Sequence, residues 1–147
     1  MQVKELGHVV LYVRDLERSR AFYRDLLGFR EIFAGPGAAV YSSGRTHHEL
    51  LLLAVGPGAQ PIPQGRRVGM YHFGLKVGDS DDELRAARDA VVRAGATMVG
   101  SSDHVVTHSL YLLDPDGNEI ELYVDVPGVD WKNDPSLMMT RPRPLSL

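Results

Sequence analysis

The 147-residue sequence contains no cysteine. That absence excludes disulfides, thiolate zinc sites, cysteine-held iron–sulfur clusters and thiol nucleophiles together. Any metal must therefore be held by histidine and carboxylate. Long apolar runs are missing too: the longest, Leu50 to Val55, is far too short to cross a bilayer, so no membrane partner is expected. There is no excess of positive charge. The formal net charge is −3 at pH 7, whereas a phosphate-backbone binder needs a basic face, so no nucleic-acid partner is expected. No basic segment leading into an apolar one opens the chain, where Lys4 and Glu5 run straight into strand-like sequence. With no secretory signal visible, the expected location is cytoplasmic. What is present is ordinary for a globular protein, 44% hydrophobic and 24% charged residues, in a length that fits one domain or two small repeats sharing a core.

The chain reads as two copies of one unit. In the first, about 5–55, Gly7 to Val13 alternates as a half-buried strand, with His8, Val10 and Tyr12 on one face and Val9, Leu11 and Val13 on the other. Asp15 is a candidate N-cap for a helix with the apolar stripe Phe22, Tyr23, Leu26 and Leu27, stopped by Gly28. Strand-like sequence restarts at Phe29 to Phe33, and two apolar runs, Ala39 to Ser42 and His47 to Val55, flank a predicted hairpin turn at Ser43 to Thr46. A linker at about 56–68 follows, whose Gly56 to Gly65 stretch is rich in glycine and proline and has no periodicity.

The second unit, about 69–125, repeats the order. Tyr71 to Val77 alternates with His72 at its second position, as His8 is in the first copy. Asp79, Ser80 or Asp81 caps a helix with the stripe Leu84, Ala87, Val91 and Val92, stopped by Gly95. Ala96 to Gly100, Leu110 to Leu113 and Glu119 to Val124 are predicted strands, the last two joined by a turn at Asp114 to Asn118. One helix cannot cover both faces of its sheet, so the economical solution is an α+β fold in which two βαβββ repeats form an incomplete barrel around a shared metal cleft. Residues 126–147, with Trp131 and four prolines, make a C-terminal tail expected to be extended, lying over the cleft, on a second subunit, or disordered.

All six histidines, His8, His47, His48, His72, His104 and His108, fall in or beside predicted strands. The equivalence of His8 and His72 across the repeats implies that pseudo-twofold symmetry brings their imidazoles together at the cleft. In the last strand Ile120, Leu122 and Val124 are the apolar face, which points Glu119, Glu121 and Tyr123 the other way. Glu119 lies beside the turn and is expected in solvent, so Glu121 is the candidate carboxylate. Two histidines and one carboxylate bind Fe(II) with open positions left over, and the same ligands also suit Zn, Mn, Co or Ni. A symmetrically closed turn at 114–118 sets Leu113 opposite Glu119 and Tyr111 opposite Glu121, on the same side of the sheet, which stands Tyr111 beside the metal.

These residues resemble the vicinal oxygen chelate superfamily, which includes glyoxalase I, bleomycin and fosfomycin resistance proteins, and type I extradiol ring-cleaving dioxygenases. The general marks are Gly7-His8-Val9 leading into Asp15 to Ser19, Phe22-Tyr23 to Leu27-Gly28-Phe29, and Asp114 to Glu121. More specific marks are similar to catechol 2,3-dioxygenases: His48-Glu49 in the last strand of the first unit, His104 in the stretch Asp103 to Tyr111, and Tyr111 ten positions before Glu121. The resemblance implies an Fe(II) enzyme acting on a catechol-like aromatic substrate and dioxygen. His8, His72 and Glu121 would be its iron ligands, His48 the acid/base near dioxygen, and His104 and Tyr111 donors to substrate; a homodimer is expected. His47 and His108 have no assigned role. Familiar two-domain extradiol enzymes carry four such units and this chain two, so the pocket would need a dimer partner, the 56–65 linker or the tail. His48 and Glu49 would point to opposite faces of a regular strand, so one of them reaches the cleft. Were it Glu49, the resemblance would imply a glyoxalase-like lyase or isomerase with a fourth protein ligand. A third reading is an antibiotic-sequestering protein, which needs no metal set.

Overall fold

Alternation along Val9–Val13 buries Leu11 and Val13 and leaves Val10 and Tyr12 exposed, which makes this segment strand β1. It is the first element of a computed structural model that describes residues 1–63 and 65–147 as two units, Met1–Ile62 and Pro63–Leu147. The predicted linker includes Gln64, which lies outside the described residues.

In the first unit Asp15 caps helix α1 (Leu16–Arg20), its carboxylate accepting from the Arg18 amide at 3.0 Å. The helix does not continue as α. Ala21–Leu26 is a π-helical turn, with the Leu27 amide bonded back to the Phe22 carbonyl, and the wider turn lets both Phe22 and Tyr23 enter the core while Leu26 and Leu27 are only half-buried. Three strands follow, β2 (Glu31–Gly35), β3 (Ala38–Tyr41) and β4 (Leu50–Ala54), in a sheet ordered β1-β4-β3-β2 with β1 parallel to β4. The predicted strand from His47 is shorter than expected: β4 begins at Leu50, paired with Tyr41, and residues 42–49 form a loop in place of a tight turn.

The second unit repeats that topology. Strands β5 (His72–Gly78), β6 (Met98–Asp103), β7 (Thr107–Leu113) and β8 (Glu119–Asp125) are ordered β5-β8-β7-β6, with β5 parallel to β8. The fold is thus α+β, built of two βαβββ modules. Ser80 is the cap of helix α2 (Asp81–Arg93), and Glu83 closes a capping box by accepting from the Asp79 amide and the Ser80 hydroxyl, each at 2.8 Å. Gly78 allows this, because a Cβ there would stand 2.6 Å from the Glu83 side chain. Leu84 and Val91 are the buried residues of α2, against Leu110, Leu112, Ile120, Leu122 and Val124 of the unit's core. Val92, predicted in the stripe, is 63% exposed: one residue is 100° of helix, enough to leave the buried face. No helix among the described residues is long and apolar enough to cross a membrane.

One polar cluster belongs to the packing of the first unit. Arg20 grips Glu31 with two hydrogen bonds, Nε to Oε2 at 2.8 Å and Nη2 to Oε1 at 2.7 Å, and the buried Tyr41 hydroxyl donates to the same carboxylate at 3.2 Å. Arg20 holds the Glu31 carboxyl below the usual glutamate range, against the opposing effect of burial and with help from Tyr41. A carboxylate depressed in the folded state contributes stability above its unfolded pKa and loses it as pH falls through the folded value. Glu31→Gln should therefore lower the urea midpoint near neutrality by an amount equivalent to about 1 kcal/mol. The difference from the parent protein should shrink as pH drops below the ordinary glutamate range.

Candidate active site

In the second unit five of the side chains on one side of the sheet fall into a connected series. The register opposite the turn is Leu113 with Glu119 and Tyr111 with Glu121, as symmetric closure predicts; Asp114 enforces it by accepting from the amides of Asp116 and Asn118 and from the Asn118 side chain. The first strand sets His72 beside Glu119 and Gly74 beside Glu121. His72 Nε2 stands 3.4 Å from Glu121 Oε2. Glu121 Oε1 accepts from the Tyr111 hydroxyl at 3.2 Å, and Tyr111 in turn meets His104 Nε2 at 2.6 Å. Because the phenol has one proton and donates it to Glu121, His104 must donate from Nε2, which fixes its tautomer. Burial, followed by the charge and hydrogen bond of Glu121, pushes the Tyr111 phenol far above its ordinary pKa, so it stands protonated.

Glu119 is not in open solvent as expected. It is 20% exposed, 3.5 Å from His72 Nδ1, and close enough to Tyr71 for its charge, with burial and a hydrogen bond, to raise that phenol's pKa. His72 therefore lies between two carboxylates, and its Nδ1 is buried without a hydrogen-bond partner. This arrangement fits a metal ligand. Two donor atoms sharing one ion at about 2.0–2.2 Å are about 2.8–3.6 Å apart for angles between square and tetrahedral, which brackets the 3.4 Å His72–Glu121 separation. A ligating histidine ordinarily turns its other ring nitrogen toward a carboxylate, as Nδ1 is turned toward Glu119. Gly74 makes room, since a Cβ there would press on Glu121 Oε2 and the Tyr123 ring, each at 3.3 Å.

His104 sits in the turn between β6 and β7, whose next residue, Val105, has a left-handed φ of 71°. The turn is held by the Asp103 carboxylate, which accepts from the Val105 amide at 2.6 Å, and by the bond from the His104 amide to the Thr107 carbonyl. His108, unassigned from sequence, has Asp81 of helix α2 at 2.6 Å and Asp103 at 3.8 Å, so it ties the helix start to this sheet edge.

In the first unit three imidazoles cluster. His8 and His48 have ring centroids 4.4 Å apart, His47 and His48 4.5 Å, and His8 and His47 6.3 Å; His47 and His48 share a hydrogen bond between their Nδ1 atoms. Burial, then repulsion from His47 and His8, lowers the His48 pKa, with Glu49 opposing, so His48 is uncharged near neutrality. His48 and Glu49 lie in the loop before β4, so strand alternation does not choose between them. Hydrogen bonding separates them instead. Glu49 Oε2 accepts from the Ser43 amide at 2.7 Å and Oε1 from the Thr46 amide at 3.0 Å, with Arg45 Nε at 3.6 Å. Burial works against the Glu49 charge, but these bonds outweigh it and hold the carboxyl below its ordinary pKa. Among the described residues no group of three or more His, Asp or Glu side chains is gathered as a metal site; His72 and Glu121 form a pair.

Beside Glu121 the second unit has a cavity of about 410 Å³. Tyr123 and Asp125 continue its floor along β8, Val106 and Thr107 come from the β6–β7 turn and β7, and Trp131 and Met138 come from the tail. The tail is ordered onto this unit: Pro135–Met139 is a 3-10 helix, and Arg143 exchanges two backbone hydrogen bonds with Asp103 at 2.9 and 3.0 Å. Sequence marked Tyr123 only as a neighbour of Glu121 on the same face. It gave no signal for Val106, whose position depends on the strained turn.

Fold and motifs together define a known class. Residues 5–122 match the family described as the Glyoxalase/Bleomycin resistance protein/Dioxygenase superfamily, and the chain belongs to it. Within that class it is 36% identical over 130 residues to the catechol-2,3-dioxygenase of Bacillus subtilis (strain 168), covering 88% of this chain and 44% of that protein. It is 30% identical over 123 residues to biphenyl-2,3-diol 1,2-dioxygenase 3 of Rhodococcus globerulus, covering 82% of this chain and 63% of that one. The chain thus spans less than two-thirds of the length of these curated relatives. A solved glyoxalase/dioxygenase structure from Nostoc punctiforme shares the fold, with a TM-score of 0.72 at 21% identity over 84% of this chain and 92% of that one.

Proposed function

We propose that the chain is a small extradiol-type dioxygenase that opens the ring of a catechol-like aromatic, with Fe(II) held by His72, Glu121 and His8. The observation that carries this reading is the series His104–Tyr111–Glu121–His72, linked at 2.6, 3.2 and 3.4 Å. It joins a pair of ligand type to a protonated phenol and an imidazole N–H, which is what a bound aromatic diol needs on its two sides. His8 enters through its equivalent place in the first repeat. Iron held there would supply the positive charge that lowers the pKa of a catechol's hydroxyls.

The remaining work falls to the chain's own residues. With Glu121 engaged as a ligand, Tyr111 would turn its one hydroxyl proton from that carboxylate to a diol oxygen, while His104 fixes the phenol through Nε2–H. His48, uncharged near neutrality, takes up a proton released from the diol and returns it to the opening ring. Glu49, with both oxygens engaged in its own loop, weighs against a glyoxalase-like lyase or isomerase with four protein ligands. Retention of His8, His72 and Glu121 weighs against an antibiotic-sequestering protein.

Tyr111→Phe keeps the half-buried ring and removes the donor. It is expected to retain iron and to lower kcat by about 10- to 100-fold, read in a steady-state assay beside an iron determination. The test of the whole reading is oxygen uptake by protein purified anaerobically and loaded with Fe(II), across catechols from monocyclic to bicyclic, with Mn, Zn, Ni and Co in parallel. Uptake matched by a ring-opened product and abolished by a chelator is the expected result. Bound iron without uptake would turn the reading to the lyase or isomerase, and failure to retain any of these metals would turn it to the sequestering protein.

A further inference from the structure

The tail lies beyond residues 5–122 that match the family, yet it supplies two of the side chains around the cavity next to Glu121. On β8, Glu121, Tyr123 and Asp125 follow one another on the same side of the sheet, and Thr107 is paired with Asp125. At about 3.3 Å per residue, Glu121 and Asp125 are about 13 Å apart along the strand. A cavity of that length holds a diol at the Glu121 end with space beyond it for a second ring or an apolar substituent. The far end suits such a group. Asp125 is drawn there to Lys76 at 2.7 Å, a cation it shares with Asp79 at 2.6 Å, while Trp131 and Met138 offer an indole face and a flexible thioether, both well adapted to an aromatic ring.

The tail is fastened at two further points. Arg143 pairs with Asp103 through backbone bonds, and Arg88 of α2 donates to the Leu147 carbonyl at 3.4 Å. Asp103 also holds the turn that carries His104 and Val106. The same attachment therefore fixes both the tail and the turn from which Val106 enters the cavity.

We infer that the tail is the specificity wall of this chain: Trp131 and Met138 select catechols that carry an apolar, ring-sized substituent beyond the diol. The inference rests on the dioxygenase reading for the identity of the diol, and its test is separate from turnover. Trp131 is the single tryptophan of the chain, so its emission reports on the wall alone. Full-length protein loaded with Fe(II) and kept free of dioxygen is titrated with catechol and with 2,3-dihydroxybiphenyl, following tryptophan emission and, independently, heat by calorimetry.

The expected result is a saturable change in emission, with the bicyclic diol bound at least about tenfold more tightly than catechol. Met138→Ala should reduce that preference by about five- to tenfold, and Arg143→Pro, which removes the amide that donates to Asp103, should reduce it further. The inference is overturned if neither diol binds, if calorimetry detects binding while emission stays flat, or if Met138→Ala leaves the preference within about twofold. Oxygen uptake measured on the iron-loaded forms separates the two readings. A shifted preference without uptake removes the dioxygenase assignment alone, and uptake with an unshifted preference removes the wall alone.

Discussion

Glu121→Ala is expected to abolish retention of iron while leaving the second unit folded. The backbone of β8 at this point is paired on both sides, with Gly74 and with Tyr111, and the neighbouring Ile120 and Leu122 carry the burial, so truncating Glu121 removes no core packing. It does remove the carboxylate 3.4 Å from His72 Nε2 and the acceptor of the Tyr111 hydroxyl. Loss of partners outside the immediate ligand set typically costs 10- to 100-fold in metal affinity, so loss of a ligand should cost at least about 100-fold. Iron content after anaerobic loading and gel filtration, read beside the far-UV circular dichroism and melting temperature, checks this. Glu119→Gln provides the contrast, since Glu119 faces His72 Nδ1 and not Nε2: iron should be kept with affinity lower by about tenfold. Full retention of iron in Glu121→Ala would remove the proposed ligand set.

The second large effect concerns adjacent residues in the 42–49 loop. His48→Ala should leave iron bound and lower turnover by about 100- to 10,000-fold, the range for loss of a general acid or base. Glu49→Gln should act in the opposite way. Its amide cannot accept from the exposed Ser43 and half-buried Thr46 N–H groups with both ends, so one of these hydrogen bonds is lost, and stability should fall by about 1 kcal/mol with turnover within a few-fold of the parent. Steady-state rates and urea midpoints on the same two variants check both. A damaged rate in Glu49→Gln with an intact His48→Ala would favour the lyase or isomerase reading.

These expectations follow from some features that were legible in the sequence and some that were not. The strand pair carrying Tyr111 and Glu121 was legible because a five-residue turn and a side-chain period of two leave a single register in which Ile120, Leu122 and Val124 are buried. Helix starts were legible at Asp15 and, to within one residue, at Ser80, where sequence left Asp79, Ser80 and Asp81 open; a short side chain reaches the first free amides at each. The π-helical turn after Arg20 was not, since a shift from four- to five-residue hydrogen bonding leaves the apolar spacing of Phe22, Tyr23, Leu26 and Leu27 almost unchanged. Nor was the start of β4: Leu50 follows a continuous run from His47, and the Glu49 carboxylate reaching back to Ser43 and Thr46, with the Ser42 hydroxyl bonded to Thr46 and Gly44, turns those residues into a loop. The tail stayed open among three placements for a similar reason. Trp131, Met138 and Arg143 are ordered by contacts with β6, β7 and β8, partners distant in the chain.

Val105 gives the last of these regions a distinct thermodynamic character. A β-branched residue in the left-handed region is destabilised by about 1–2 kcal/mol, and here it persists through the Asp103 carboxylate, the Thr107 carbonyl and the Val106–Val126 and Asp103–Arg143 backbone bonds. Release of any one of them lets the backbone relax toward its ordinary conformation, which weakens the others. Residues 103–107 and the tail segments bonded to them therefore open as one cooperative unit below the free energy of global unfolding. In hydrogen exchange the amides of His104, Val126 and Arg143 should share a single protection factor, lower than those of the β7–β8 ladder beside them.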